Sequence, residues 1–362
     1  MPVTIRDVAA KAQVSFQLVS AVLGNRNTSA RASAATRKKI LEAARSLGYV
    51  PNVSARVLRG EPSRIIGVLI DSLAPEALYG VLAEIEQAAD ALGYRILSAQ
   101  AHDDPEKLLS AYRSLKQNGV DGILSFSHDY AQLNCHLDHQ LRDDPKIVYV
   151  LNAPEGIGSS VDVDYLGGMT LAADHLRKNG YRRTALILLG GRIENLPRSC
   201  SRRLSGFRTA CPQGEVILLK SSLNDMTALE KEFRSLIRRK IIPGAFDSAI
   251  VQNDNFAAIL MRHLLEAGVR IPGDFGLIGW DNLLIAECLP VPLTSLSYDR
   301  KKLARTVLDI LLKKINGNTD PVRTLFPMKL TPRESSRKRD ERGKKNEIPR
   351  RKRPNGTTPK TD

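Results

Sequence analysis

The chain has 362 residues and carries 54 Lys and Arg against 39 Asp and Glu, a formal net charge of +15. That length accommodates a small domain beside a two-lobed one of ordinary size. No apolar run approaches the roughly 18 residues of a membrane-spanning helix, which excludes such a span. Cys135, Cys200, Cys211 and Cys288 show no Cys-x-x-Cys spacing, so a disulfide framework is excluded and reduced thiols in a cytoplasmic protein are expected. The first residues pass almost directly into a helix signal with no apolar stretch before it, so no secretory signal peptide is expected. The charge is also segregated. Residues 1–60 carry +8 and residues 337–362 carry +7, while the stretch between is balanced. Phosphate contact is the natural use of a basic N-terminal segment beside a neutral middle.

In chain order, Thr4 caps a short helix running to Lys11, with Asp7 three residues on to complete a capping box. Ala12-Gln13-Val14 makes a tight connection, and Ser15 caps a second helix ending near Leu23. Val14, Leu18, Val19, Val22 and Leu23 form its apolar stripe, which leaves Phe16, Gln17, Ser20 and Ala21 on the outer face. Ser33 opens a third helix that ends at Gly48. Two short helices joined by a tight turn form a helix-turn-helix, whose second helix enters a major groove of DNA. Beyond it, Asn52 is a good cap and Gly60 a good stop for a further short helix, too short to be stable alone and so expected to act as a hinge.

These elements resemble the headpiece of the LacI/GalR (lactose repressor) family. The resemblance rests on Thr4-Ile5-Arg6-Asp7-Val8-Ala9, Val14-Ser15, Val19-Ser20, Val22-Leu23, Thr36-Arg37, Leu47-Gly48-Tyr49 and Pro51-Asn52 with Ala55-Arg56, all in the family's order. It implies a homodimeric transcriptional regulator, most simply a repressor, on a near-palindromic double-stranded DNA operator. Thr4, Ser15 and Asn27 would then position phosphates. Gln17 would bond adenine, and Phe16 would touch a thymine methyl. Asn52 and Ala55 belong to the paired hinge helices, and Leu58 matches the wedge residue that unstacks a base step, unless it only packs on its twin. The reading face departs from the family. Ala21 stands where many members carry arginine, Leu18 where a threonine is usual, and Gln13 where the turn has glycine. The 24–31 connection is also about three residues longer than is common in the family, so the operator should differ.

From residue 64 short apolar runs alternate with amphipathic helices. Strands are predicted at 65–70, 95–100, 122–126, 147–151, 184–189, 216–220, 248–252 and 276–280, with helices at 76–92, 105–118, 166–179 and 255–267. That alternation implies α/β lobes with doubly wound parallel sheets, and the series restarts after a break near 154–161. The family resemblance extends over roughly residues 3–336 and implies a two-lobed, periplasmic-binding-protein-like sensor. The expected domains are a headpiece at 1–50, a hinge at 51–63, a sensor at 64–336 and a tail at 337–362. Chain crossings are expected near 158–163, 291–296 and 322–326, which makes lobe 1 about 64–160 with 294–322 and lobe 2 about 161–292 with 323–336.

Ligands of such folds bind between lobes at the carboxyl ends of strands. Arg203, in Arg203-Leu204-Ser205-Gly206-Phe207, matches the family's effector arginine, and Asp281, in Gly279-Trp280-Asp281-Asn282, a ligand-accepting aspartate. Asn253 follows another strand end, and Trp280 would stack on a sugar or base or else pack between lobes. Asp254 would cap a helix or touch ligand. The expected effector is a sugar or related metabolite. Pro75-Glu76-Ala77-Leu78 lacks the family's wall of aromatics, Asp164-Tyr165 replaces Asp-Asn, and Tyr298 replaces a glutamine. A lactose-like ligand is therefore not implied, and a ligand-free sensor stays open.

His128, Cys135, His136 and His139 fall close together in a segment, 130–142, that reads as a polar surface helix. They lack a second matched pair for zinc, so no metal site is expected. No glycine-rich phosphate loop or catalytic triad spacing is present, so neither a cofactor nor an enzyme is expected. A periplasmic solute-binding protein would share the sensor but not residues 1–60. The tail holds Arg337-Lys338-Arg339 and Arg350-Arg351-Lys352-Arg353 with almost nothing to bury. It serves either as a solvated tail or as a second phosphate anchor. Deleting 337–362 should weaken non-specific DNA binding and flatten its salt dependence, and an unchanged salt slope in a binding titration would rule the anchor out.

Overall fold

The computed structural model describes residues 3–24, 32–50, 61–72, 74–101, 104–127, 129, 139–221 and 225–337. Asn27, the hinge readings at Asn52, Ala55 and Leu58, and residues 338–362 lie outside them, as do His128, Cys135 and His136. The chain divides into two units, residues 1–65 with 116–121 and residues 66–115 with 122–362.

The first unit holds α1 (Ile5–Ala12), α2 (Phe16–Leu23) and α3 (Ala34–Ser46). Asp7 Oδ2 accepts from both the backbone N–H and the hydroxyl of Thr4, each at 2.7 Å. These bonds, backbone first, hold the Asp7 carboxyl below its usual range. Ser15 Oγ accepts from Leu18 N at 3.3 Å and Ser33 Oγ from Thr36 N at 3.1 Å, so both predicted serine caps are formed. Val8, Ala12, Val19 and Ile40 are completely buried at the centre, with Val14, Leu18, Leu23 and Tyr49 packed around them. In the same unit, Asp121 Oδ1 accepts from Ser63 N at 2.8 Å and Oδ2 from Arg64 N at 2.8 Å. One carboxylate thus fixes the backbone entering the first strand.

One expectation for α2 is corrected. Phe16 and Gln17 are exposed and Ser20 is partly so, but Ala21 is buried. Its side chain is a single methyl on a helix packed by both α1 and α3, and so short a group is overshadowed by longer neighbours.

The second unit contains two six-stranded sheets. The first comprises β1 (Ile65–Ile70), β2 (Arg95–Gln100), β3 (Gly122–Ser125), β4 (Ile147–Val150), β5 (Ser159–Val163) and β11 (Arg323–Phe326), in the order β11-β5-β4-β3-β1-β2. The second comprises β6 (Thr184–Leu189), β7 (Glu215–Leu219), β8 (Ser248–Val251), β9 (Gly276–Trp280), β10 (Thr294–Ser297) and β12 (Lys329–Thr331), in the order β12-β10-β9-β8-β6-β7. β12 runs antiparallel to β10. Strands such as Ile-Ile-Gly-Val-Leu-Ile are apolar throughout because helices cover both faces of a parallel sheet. The first sheet is packed by α4 (Glu76–Ala91) and, late in the chain, α12 (Arg300–Ile315); α5 (Pro105–Gln117) and α6 (His139–Arg142) connect its strands. The second lobe carries α7 (Tyr165–Lys178), α8 (Arg198–Ala210), α9 (Met226–Leu236), α10 (Asp254–Glu266) and α11 (Ile285–Cys288).

The eight predicted strands are all present; β5, β10 and β11 fall on the segments expected to cross between lobes, and β12 lies in a stretch expected in lobe 2 to which no strand was assigned. The crossings therefore shift. β5 stays in the first sheet through Val163, β10 belongs to the second sheet rather than lobe 1, and Arg323–Phe326 pairs with β5 rather than joining lobe 2. Short polar stretches such as Thr294-Ser295-Leu296-Ser297 carry no strand periodicity; their backbones are claimed by strands distant in sequence. The 130–142 helix is seen only as His139–Arg142, the rest lying outside the described residues.

Gln13 closes α1 in the left-handed region at φ 52°. Such a conformation costs a residue with a Cβ about 1–2 kcal/mol, while glycine loses more entropy on folding. Gln13→Gly should therefore stabilise the headpiece by about 0.5–1 kcal/mol, read as a higher melting temperature of residues 1–50; a lower one would contradict the assignment.

Candidate functional site

Between the two sheets lies a cavity of about 200 Å³. It is framed by the carboxyl ends of parallel strands, as in other open α/β folds. Asp71 follows β1, Asp129 follows β3, Asn152 follows β4, Asn253 follows β8 and Asp281 follows β9, and all of them line it. Arg203 enters from α8. That helix is pinned by Cys200, Leu204 and Phe207, all buried, and its start is tied to the first lobe by Ser199 N donating to Asp129 Oδ1 at 2.9 Å.

Arg203 is 8 % exposed, yet its guanidinium makes no ion pair among the described residues and its Nε is buried without a hydrogen-bond partner. It rests on aromatic rings instead, with its guanidinium carbon 4.5 Å from the Trp280 centroid and 5.1 Å from that of Tyr165. Those two rings stack at 5.6 Å with 18° between planes. The Tyr165 hydroxyl donates to Asn152 Oδ1 at 2.5 Å, and burial holds its phenol above the usual range. Trp280 is only 1 % exposed. It lines the cavity, and its ring stacks on Tyr165 and supports the Arg203 guanidinium, the packing alternative of the two expected for it.

The turn after β9 is held from inside. Asp281 and Asn282 both have positive φ, 98° and 49°. Asp281 N donates to Leu296 O at 2.7 Å, Asn282 N to Ser295 Oγ at 3.0 Å and Leu283 N to Asp254 Oδ2 at 2.7 Å. Asp254, completely buried, also accepts from Ser295 Oγ at 2.6 Å. Gly279 permits this approach, since a Cβ there would collide with Asp254 Oδ1. The helix cap is Asn253, whose Oδ1 accepts from Phe256 N at 3.0 Å. Asp254 thus neither caps the helix nor lines the cavity; it positions the Asp281 turn. Burial pushes its carboxyl up to about 7 against the opposing bonds from Ser295 and Leu283.

Burial likewise pushes Asp281 up to about 6, although Arg203 and Arg300 both act to lower it. Asp129 is raised by burial against the Ser199 bonds. Next to Arg203, Arg202 reaches the other way, pairing with Asp162 and donating to Ala153 O at 2.9 Å. Asp162 in turn accepts from Asn152 N at 3.2 Å and Val163 N at 2.9 Å. Consecutive residues of α8 therefore face the cavity and grip the first lobe.

All four effector residues expected from the sequence, Arg203, Asn253, Trp280 and Asp281, line this one cavity. Asp71, Asp129, Asn152 and Ser199 were missed. The first three could have been found by applying the strand-end rule to every strand rather than to family matches alone. In the first unit, Thr4, Ser15, Phe16 and Gln17 are exposed at the starts of α1 and α2. Among the described residues no cluster of three or more His, Cys, Asp or Glu is placed to hold a metal, and no helix is long and apolar enough to cross a membrane.

Residues 4–52 match the model of bacterial regulatory proteins of the lacI family, and residues 173–336 match a periplasmic binding protein-like domain. The HTH-type transcriptional repressor PurR of Vibrio cholerae is 30% identical over 334 residues, covering 90% of this chain and 95% of that protein. The chain belongs to the LacI family. The lactose operon repressor of Escherichia coli K12 is 29% identical over 346 residues, covering 92% of this chain and 91% of its own. The family fold is shared in three dimensions with the Lac repressor dimer bound to operator and the anti-inducer ONPF. That match has a TM-score of 0.79 and 27% identity, over 93% of this chain and 99% of the other.

The raised carboxyl of Asp254 has a consequence for stability. Its folded value of about 7 exceeds the unfolded carboxylate's, so the folded state holds the proton more tightly. Stability from this group rises as pH falls from about 7 toward 4, by about 2 kcal/mol between pH 7 and 5. Urea unfolding of the wild type should show this rise and Asp254→Asn should flatten it; equal profiles would remove Asp254 as the source.

Proposed function

We propose that this LacI-family regulator is a cytoplasmic transcriptional repressor that binds a near-palindromic operator as a homodimer and responds to a small, carbohydrate-like molecule in the interlobe cleft. The observation that carries the effector half is a buried guanidinium, Arg203, whose Nε has no hydrogen-bond partner among the described residues, in one cavity with the carboxylate of Asp281. Leaving such a buried donor unsatisfied costs about 1–3 kcal/mol unless a ligand supplies the missing bond. That favours a responsive sensor over a ligand-free one.

In this reading residues 1–50 are the DNA-reading headpiece, 51–63 the hinge, 64–336 the sensor and 337–362 a basic tail. Phe16 and Gln17 read base edges, Thr4, Ser15 and Asn27 position phosphates, and Ser20 lies beside them. Asn52, Ala55 and Leu58 belong to the hinge contact in the minor groove. With Ala21 buried, the outer face of α2 offers a smaller reading surface than the sequence suggested. The effector shifts the balance between lobe arrangements and thereby operator affinity.

Selection of bound sequences from a random DNA library should return a two-fold symmetric site. Gln17→Ala should cost about 1–3 kcal/mol of discrimination at one base in each half-site. Arg203→Ala should retain operator binding yet lose the response to effector. An asymmetric site, or a response that survives Arg203→Ala, would contradict the proposal.

A further inference from the structure

Two helices of the second lobe reach across the cleft to the first. α7 and α8 pack on each other, α7 also on β12 and α8 also on β6, so both belong with the second sheet. From α7, the Tyr165 hydroxyl donates to Asn152 Oδ1 at 2.5 Å. Near the start of α8, Ser199 N donates to Asp129 Oδ1 at 2.9 Å, while Arg202 pairs with Asp162 and donates from Nη2 to Ala153 O at 2.9 Å. Asn152, Ala153, Asp129 and Asp162 lie on or just beyond β3, β4 and β5 of the first sheet. In the opposite direction Arg300 of α12 reaches Asn282 O only at 3.4 Å.

Among these ties Arg202 is the strong one. It brings a full charge and two donors to two acceptors, where Tyr165 and Ser199 bring one neutral donor each. Its partner is held ready. Asp162 Oδ1 accepts from Asn152 N at 3.2 Å and Val163 N at 2.9 Å, which fixes the carboxylate and turns Oδ2 to Arg202. Three neighbouring pairs divide the same way. Asn152, Val163 and Arg203 line the effector cavity, whereas Ala153, Asp162 and Arg202 line an outer cavity of about 410 Å³. The ion pair therefore stands on the wall between the two. Its side chains are 12 % exposed at Asp162 and 34 % at Arg202, so it is neither fully screened nor sealed from solvent.

We infer that the Arg202–Asp162 pair is a clasp by which the protein holds its own lobes shut, so that an effector enters only when the pair releases. The inference rests on the reading of the cleft as the effector site and adds what keeps that site closed. Arg203, Asn152 and Trp280 are all buried, and a molecule of sugar size reaches them once the lobes part. Release is confined to one side chain. Arg202 gives up both acceptors together, while Asp162 keeps its two backbone bonds and the first-lobe strand ends stay as they are. Water and ions compete for the pair from the outer cavity, without passing through the effector cavity.

The test needs no effector and uses the full chain. Amide hydrogen exchange at Ser199, whose N–H crosses between the lobes, reports opening. Arg202→Leu should speed that exchange about tenfold, the factor for a pair between exposed and fully buried ones. Exchange at Val163, whose bond to Asp162 survives release, should stay unchanged, which separates opening from general loosening. Acrylamide quenching of Trp280, the chain's only tryptophan and part of the cavity wall, should rise in parallel. Arg202→Lys, which keeps the charge but not the fork, should fall between, and adding Asp162→Asn to Arg202→Leu should change Ser199 exchange no further. Raising salt from about 0.1 M to about 1 M should speed Ser199 exchange in the wild type and leave Arg202→Leu unaffected. Wild-type exchange and quenching in Arg202→Leu, or additive effects of the two substitutions at Ser199, would overturn the clasp. Either result leaves the effector reading standing, since Arg203→Ala tests that separately.

Discussion

A buried guanidinium with no ion pair among the described residues is the constraint around which the sensor is arranged. Arg203 carries a full charge at a site that is 8 % exposed, and such a charge is tolerated only with compensation. The protein compensates it partly with the faces of Trp280 and Tyr165. Those rings must then be held themselves, Tyr165 through its bond to Asn152 in the first lobe and Trp280 as the last residue of β9 in the second. The arginine, its aromatic support and the strand ends of both lobes thus form one cooperative unit, and the remaining polar demand is left for a ligand.

The same helix connects that unit to the lobe arrangement. Because adjacent residues of an α-helix lie about 100° apart, Arg202 and Arg203 cannot face one surface. One serves the cavity and the other the first lobe, where Asp162 also holds the backbone at Asn152. A ligand that pulls on Arg203 or displaces Tyr165 therefore acts on residues bonded directly to the lobe contact. Asp254 contributes from the opposite side by fixing the Asp281 turn through Ser295 and Leu283. Burial raises its pKa, while the two bonds it accepts from Ser295 and Leu283 favour the ionised form.

Much of the molecule was legible before any tertiary information. Serine caps, the Thr4–Asp7 pair and the apolar stripe of α2 are local signals, and local hydrogen bonds realise them. Most of the eight predicted strands were visible because parallel strands buried on both faces are continuously apolar, although the edge strand β2, Arg95–Gln100, is mostly exposed. Arg203, Asn253 and Asp281 were visible through family spacing, and the strand-end rule gives the physical reason they meet. Ala21 was misjudged because helical phase assigns a face but not the reach of neighbouring side chains. Which of its two expected roles Trp280 plays depends on Tyr165 and Arg203 packing on its ring, which nothing along the chain announces.

The amino-acid sequence alone therefore determined the class: a basic helix-turn-helix headpiece and a charge-balanced α/β sensor, which depend on periodicity, capping and composition, all local properties. The arginine and aspartate of the cleft were implied by the family resemblance. Only the tertiary structure decided where the chain changes lobes, since β5, β10, β11 and β12 acquire strand character from partners far away in sequence. It also decided what lines the cleft. Asp71, Asp129 and Asp281 are more than 50 residues apart along the chain in each case, and they reach one cavity only once parallel strands bring their carboxyl ends together.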